Sequence, residues 1–377
     1  MHRCAACGGQ AGYLVCLRAL RQGRAVDMKQ AAASARQARL TRVLGIARVP
    51  AQTPVPIASD SNDVWRIGAV VLRICWRGDR DRFAREAAVT AALPPEIPYP
   101  EIVDAGCDDE LAWQVTRAVD GVPLAAAWPG MPAAHRRGAI HQIGQALAVL
   151  HAHPFPAEVT AVLAVSRPAG DTSAEALIGA DLNPLPVQRA LLLAQWVRAV
   201  PGVDPALIDD AEARLRGMAD LDPLGAPVPA GKSAVASGAG IGCVHGDAHP
   251  ANVLWRDGRV VALLDFEWVR LGPADLELVP YLADHPGAGR QAEARARSIL
   301  GWLAESHPAA FAPPCLLTRL WLYQIAYSLR QVLIHCPGRP AGELAADQFV
   351  RRLRRVVASP GHLQRLLPAA AEREAFS

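Results

Sequence analysis

The chain has only two lysines, Lys29 and Lys232, among 39 basic residues, and 5% of it is aromatic. Arginine therefore carries almost all of the positive charge, so a step that needs a fixed cation must use a planar, permanently protonated guanidinium. Long apolar runs are missing. Even the stretch 316–334 is interrupted by Arg319, Gln324 and Arg330, which falls short of the roughly 18 apolar residues of a membrane helix. The eight cysteines, at 4, 7, 16, 75, 107, 243, 315 and 336, follow no disulfide-framework spacing. This excludes a disulfide-stapled scaffold and leads us to expect a cytoplasmic protein. Cys4 and Cys7 have no second C-x-x-C or H-x-x-H segment to complete a tetrahedral zinc site. Ala226 stands where a Walker loop ending in Gly231-Lys232-Ser233 would need glycine, and no apolar strand precedes it, so that phosphate cradle is excluded too.

What is present is a globular composition, 51% hydrophobic and 20% charged, on 377 residues, enough for two lobes with a substantial core. Residues 1–50 carry nine Lys/Arg against one Asp, and 290–377 carry twelve Arg against six acids. With a net charge of +3 overall, the middle of the chain must be strongly acidic. Basic ends around an acidic middle do not form a nucleic-acid stripe, so we expect neither a nucleic-acid nor a membrane partner.

The most informative stretch runs from Cys243 to Glu267. It contains His245-Gly246-Asp247, Asn252 five residues after that Asp, two apolar runs around Asp257-Gly258, and Asp265-Phe266-Glu267. Asp-Gly between apolar runs predicts a two-residue hairpin. A strict register then places Arg256 opposite Arg259 and Asn252 opposite Leu263, with Asp265 diagonal to Asn252 on the same face, about 7–8 Å away. Two oxygen-bearing side chains so placed suit Mg²⁺, which is held by one or two such groups plus substrate phosphates. Asp247, on the loop entering the hairpin, can then orient an attacking hydroxyl or accept its proton. His245 and His249 have no third soft ligand nearby. We expect His245 to position the loop and His249 to be a pocket contact.

The pattern H-G-D-x-x-x-x-N, hairpin, D-F-E resembles the catalytic and metal loops of the aminoglycoside phosphotransferase-like kinases, a small-molecule branch of the protein-kinase fold. The resemblance implies an α+β, bilobal protein-kinase-like fold with a small β-rich N-lobe and a larger, mostly helical C-lobe. It assigns Asp247 as catalytic base, Asn252 and Asp265 as magnesium ligands, and ATP or GTP as phosphate donor. The family's usual strand lysine is replaced by Arg73, with Glu86 on the following helix as its expected partner. The turn at Ser61 and Asn62 would cover the phosphates, although it lacks the usual glycines. The backbone from Thr116 to Ala118 would meet the base. Glu267, together with Trp321, Tyr323 and Tyr327 from the last helices, would contact the acceptor. Gly272 to Leu276 resembles the family's G-x-x-x-D-L, with Asp275 expected as a helix N-cap.

In order along the chain we expect a poorly ordered or extra segment over 1–40, with Met28 an alternative start. A nucleotide-binding N-lobe would follow over 41–118, and a C-lobe with the catalytic loop and substrate-binding helices over 119–377. Short strands are expected at 41–46, 63–67, 69–75 and 111–116, and a helix at 81–93. Further helices are expected at 131–152, 172–199, 205–219, 288–305, 314–335 and 341–358. The function implied is transfer of the γ-phosphoryl group to a hydroxyl of a small molecule, an antibiotic among the candidates, by a monomer or homodimer. The alternative is a nucleotide-binding pseudokinase or binding module without transfer activity. A protein kinase is disfavoured, because no A-P-E activation segment follows the D-F-E. Residues 170–222 hold nine acids against four Arg, whereas the C-terminal helices are basic. Walls of mixed sign better suit a neutral or weakly charged acceptor than a polycation.

Overall fold

A computed structural model describes residues 25–59, 61–76, 79–164, 173–180, 182–224, 240–282, 289–344 and 346–368. These divide into two compact units, one drawn from 25–164 and 242–271, the other from 173–241 and 272–368. Cys4, Cys7 and Lys232 lie outside the described residues. Among the described residues no single helix is long and apolar enough to cross a membrane.

The first unit opens with helix α1, Ala25–Leu44, followed by strands β1 Val55–Ile57, β2 Asp63–Ile67 and β3 Val70–Cys75. Helix α2, Arg82–Thr90, then precedes β4 Ile102–Cys107 and β5 Ala112–Arg117. The strands form one antiparallel sheet in the order β1-β2-β3-β5-β4. Alternation along the strands sorts side chains to two faces. Trp65, Ile67, Val70, Leu72, Ile74, Leu111 and Val115 make a buried cluster with Leu40 and Val43 of α1. Arg73, paired opposite Gln114, projects from the other face, where α2 supplies Glu86.

The strand expected at 41–46 is instead the last turn of α1 and the bend after it. The preceding alanine-rich run is a strong helix former, and Leu40, Val43 and Leu44, spaced three and four apart, form a stripe on the sheet. Arginines tie the helix down. Arg39 pairs with Asp63 at 2.7 Å and lies over Trp76, Arg36 lies over Trp65, and Arg42 pairs with Asp108 at 2.8 Å. The segment expected to be poorly ordered thus contains a helix from Ala25 that packs through Leu40.

The unit continues with β6 Val122–Pro123, α3 Leu124–Ala127, α4 Ala133–Ala152 and α5 Ala157–Ala164. The second unit contributes α6 Ala174–Ala180, α7 Val187–Arg198 and α8 Pro205–Gly217. The long helix expected over 172–199 is broken because Pro184 and Pro186 cannot continue one. Strands β7 Ile241–Val244 and β10 Arg270–Pro273 pair as a short sheet. Between them β8 Val253–Arg256 and β9 Arg259–Leu263 form a three-stranded sheet with β6. The C-terminal helices are α9 Arg290–Ser306, α10 Leu316–His335, α11 Ala341–Leu344, α12 Gln348–Ala358 and α13 Gly361–Gln364. Asp347 caps α12 by accepting the N–H of Phe349 at 2.8 Å, which splits the helix expected over 341–358.

The hairpin turns at Asp257 and Gly258, both with positive φ (49° and 82°), the geometry of a type I′ turn. Gln142 of α4 secures it, accepting the N–H of Val260 at 2.9 Å and donating to the carbonyl of Gly258 at 3.2 Å. Arg256 faces Arg259 as expected, but a bulge between Leu254 and Trp255 shifts the rest, so that Val253 and not Asn252 faces Leu263. The strict register is therefore corrected by one residue. Leu264 donates its N–H to the Asn252 carbonyl at 2.8 Å.

Entry into β7 depends on a close approach. A Cβ on Gly242 would lie 2.5 Å from the His151 carbonyl oxygen and 3.1 Å from its Cα, backbone atoms that cannot swing aside. Gly242→Ala is expected to destabilise the chain by about 1–3 kcal/mol, the range for overpacking a filled site. Urea unfolding curves of the two proteins that superimpose would contradict it.

Candidate active site

His245 anchors the loop after β7. It is wholly buried, accepts the Asp247 N–H on Nδ1 at 3.3 Å and donates from Nε2 to the Leu264 carbonyl at 3.0 Å. Its ring lies 4.3 Å from that of Phe266. One histidine thus joins the H-G-D loop to the D-F-E segment. Gly246 has φ +81°, and a Cβ there would sit 3.1 Å from the Trp268 carbonyl oxygen, so glycine meets both the conformation and the space.

Asn252 donates its amide to Asp247 twice, to the backbone carbonyl and to Oδ2, each at 3.0 Å. These bonds hold the Asp247 carboxylate, whose side chain is 16% exposed, in one orientation. His249 accepts the N–H of Ala251 on Nδ1 at 3.2 Å and brings Nε2 to 3.5 Å from Asp247 Oδ1. Asp247, His249 and Asn252 are therefore a local cluster formed by the loop itself.

Asp265 adopts the left-handed conformation, φ 69° and ψ 52°, and ends the run of extended backbone. Its carboxylate meets Arg73, and this contact opens into a larger network. Arg73 Nη1 donates to both oxygens of Glu86, at 2.8 and 2.9 Å, and to Gln114 Oε1 at 3.3 Å. Its Nη2 donates to Asp265 Oδ1 and, at 3.1 Å, to Glu267. Glu86 is fully buried and also accepts the Tyr99 hydroxyl at 2.9 Å and the Phe266 N–H at 3.0 Å. Three carboxylates therefore converge on one guanidinium. Burial pushes the carboxyls of Asp265 and Glu267 above their usual range, against the pull of Arg73 and Arg82. Burial and the nearby Glu86 carboxylate likewise hold the Tyr99 hydroxyl protonated.

Several expected site residues turn elsewhere. Glu267, expected to face the acceptor, is fully buried. Its carboxylate receives Ser61 at 3.2 Å and Asn62 at 2.8 Å, and Arg82 approaches to 3.4 Å. Asn62 also accepts a bond from Arg82 at 2.8 Å. The turn expected to cover phosphates thus spends these two side chains on Glu267. Thr116 is buried in β5, and Ala118 donates its N–H to Ala69 at 2.8 Å, so that donor is committed to the sheet.

The last-helix aromatics lie in the second unit and are engaged there. Tyr323 is fully buried and donates to Asp275 at 3.0 Å. Trp321 donates to the Val356 carbonyl at 2.6 Å, and Tyr327 lies 4.7 Å below the Arg352 guanidinium. Asp275 is not the expected N-cap: no side-chain cap bond exists, and Arg319 grips it bidentately at 2.8 and 2.9 Å. Sequence reasoning missed Tyr99, Gln114 and Arg82. Alternation across β3 and β5 could have placed Gln114 beside Arg73; Tyr99 and Arg82 carried no local signal.

The donor set fits magnesium. Asn252 spends its amide nitrogen on Asp247, and among the described residues no bond reaches its Oδ1 or Asp265 Oδ2. Those two oxygens are hard donors of the kind Mg²⁺ takes alongside phosphate oxygens. Among the described residues no group of three or more His, Cys, Asp or Glu could hold a metal, so a protein-only cage is absent from them.

Glu267→Ala is expected to cost about 3–5 kcal/mol, because it leaves buried Arg82 and Asn62 without their partner. Glu267→Gln, which keeps an acceptor oxygen, is expected to cost less. Equal denaturation midpoints for the parent and both variants would show that Glu267 does not hold this corner together.

The family model described as the phosphotransferase enzyme family (APH) matches residues 52–314. An aminoglycoside 3'-phosphotransferase of Streptomyces fradiae is 32% identical over 150 residues, 34% of this chain and 53% of its own length. The match thus spans about half the length of that curated relative. Among solved structures, the GDP complex of aminoglycoside 2'-phosphotransferase-IIIa is similar at a TM-score of 0.54 and 14% identity, covering 86% of this chain and 99% of that one. A choline/ethanolamine kinase family protein from Mesorhizobium loti is similar at a TM-score of 0.51 and 16% identity, covering 90% and 97%. The fold is the bilobal, α+β protein-kinase-like fold, and with most of its length inside the family match the chain belongs to the phosphotransferase enzyme family.

Proposed function

We propose that the chain transfers the γ-phosphoryl group of ATP or GTP to a hydroxyl of a small molecule. The observation that carries this reading is the Asp247–Asn252 pair. The carboxylate is held by the amide of a residue whose remaining oxygen is available to a cation. Asp247 orients the acceptor hydroxyl and takes its proton. Asn252 and Asp265 hold Mg²⁺, which when bound neutralises charge on the phosphates. Arg73, fixed by Glu86, supplies a permanent charge for phosphate oxygens. His245 positions the loop and does not exchange protons with the reactants. The chain's own part is positioning and charge placement, with no covalent intermediate.

The acceptor we propose is hydroxylated and neutral or weakly charged. Two of the similar proteins are named for aminoglycosides, which are polycations, but four of the nine acids over 170–222 already have partners within the chain. Asp222 accepts the N–H of Val187, Asp204 caps α8, and Asp209 and Glu212 pair with Arg198. Trp321 and Tyr323 are engaged in helix packing, so the preference rests on charge and not on these rings. Labelled ATP and GTP, offered with amino alcohols, sugars, nucleosides, macrolides and kanamycin-type compounds, test the reading. A neutral acceptor should be preferred, with a KM that varies little with salt. Efficient phosphorylation of kanamycin-type compounds, with KM rising steeply with ionic strength, would reverse the assignment.

Asp247→Ala is expected to lower kcat by at least about 10²-fold, within the range for a positioned acid or base, and to leave nucleotide affinity nearly unchanged. Retention of most of kcat would remove Asp247 from the chemistry.

A further inference from the structure

Arg73 makes two contacts, and the second sets a positive charge beside the oxygen that a cation would take. Nη1 is held by Glu86, and Nη2 is placed on the Asp265 oxygen Oδ1. The group is rigid and planar, and only 12% of its side chain is exposed. A divalent cation seated on Asp265 would have to take its place beside a fixed positive charge, and like charges at close range in a poorly hydrated site repel strongly. Phosphate oxygens change that balance, because a guanidinium pairs with them bidentately. Glu267 already lies 3.1 Å from Nη2, so the guanidinium has a second partner and needs to shift without leaving the network. Glu267 is itself held by Asn62 and approached by Arg82, so this second partner is anchored.

We propose that Arg73 gates the cation site: its guanidinium holds Asp265 Oδ1 until nucleotide phosphates draw it away, so that a divalent cation binds strongly only together with those phosphates. The gate rests on the reading of Asp265 as a cation ligand given above. It also gives the arginine at this position a consequence. A lysine would have to share one nitrogen among the same three carboxylates and would hold Asp265 less completely. Coupling of this kind is reciprocal, so the cation must tighten nucleotide binding by the same factor that nucleotide tightens cation binding.

The test uses Mn²⁺ as the probe on the full chain, with free Mn²⁺ read by electron paramagnetic resonance, without nucleotide and then with ADP or GDP. The parent should bind Mn²⁺ weakly alone and at least about tenfold more tightly with one of the two nucleotides. Arg73→Met should bind Mn²⁺ alone at least about tenfold more tightly than the parent does. Arg73→Lys should fall between the two, and Asp265→Asn added to Arg73→Met should cancel the gain. If the parent and both Arg73 variants bind Mn²⁺ alone with equal affinity, while still binding it with nucleotide, the gate is wrong and the cation site stands. If the parent binds no Mn²⁺ even with ADP or GDP, the assignment of Asp265 as a ligand fails, and the gate fails with it.

Discussion

The first unit is organised around a buried guanidinium. Arg73 projects from the face of the sheet opposite the apolar cluster, and Glu86, Asp265 and Glu267 come to it from a helix and from the segment after a hairpin. A carboxylate taken out of water is costly unless it is paired and hydrogen-bonded. The same cation offsets that loss of water for all three, and Arg82 adds to it at Glu267. Helix α2 must therefore lie where Glu86 reaches the strand, and the D-F-E segment must lie where both its acids reach Arg73. The Phe266 N–H bond to Glu86 adds a backbone contact that fixes the height of that segment.

From this constraint the local backbone follows. The hairpin delivers β9 toward the network, and a bulge then resets the pairing by one residue. Asp265 leaves extended geometry for the left-handed region, where a non-glycine residue sits at some cost in strain. Strain at such a position persists when surrounding contacts over-determine it, and here an ion pair at Asp265 and a hydrogen bond at the next residue do so. The H-G-D loop is tied to the same segment through His245, which bonds Leu264 and packs its ring, tilted, against Phe266. The H-G-D loop and the D-F-E segment are thus one cross-linked structure.

Much of this was legible in the residues. The Asp-Gly turn, the separation of Asp247 from Asn252 and the D-F-E segment depend on local turn chemistry and short spacings, which sequence encodes directly. The pairing of Arg73 with Glu86 was legible through family resemblance, and the structure bears it out. The strand expected at 41–46 is helical through Leu44, because the alanine-rich run before it favours helix and Leu40, Val43 and Leu44 then fall on one buried stripe. The burial of Glu267 and the capture of Ser61 and Asn62 were not legible, since those partners are about two hundred residues apart. Tyr323 was expected at the pocket wall, but it shares a helix face with Arg319 four residues before, and both meet Asp275, a partner no local pattern specifies.

By itself, then, the sequence determined the hairpin and the spacing of the loop residues, because each is set by backbone conformations and spacings within a few residues. The tertiary structure decided which carboxylate meets which cation, which backbone donors are spent on the sheet and which aromatic side chains are buried. Those choices are made by burial: a charge or an N–H removed from water takes the partner that long-range packing brings within about 3 Å. No local pattern along the chain specifies that partner.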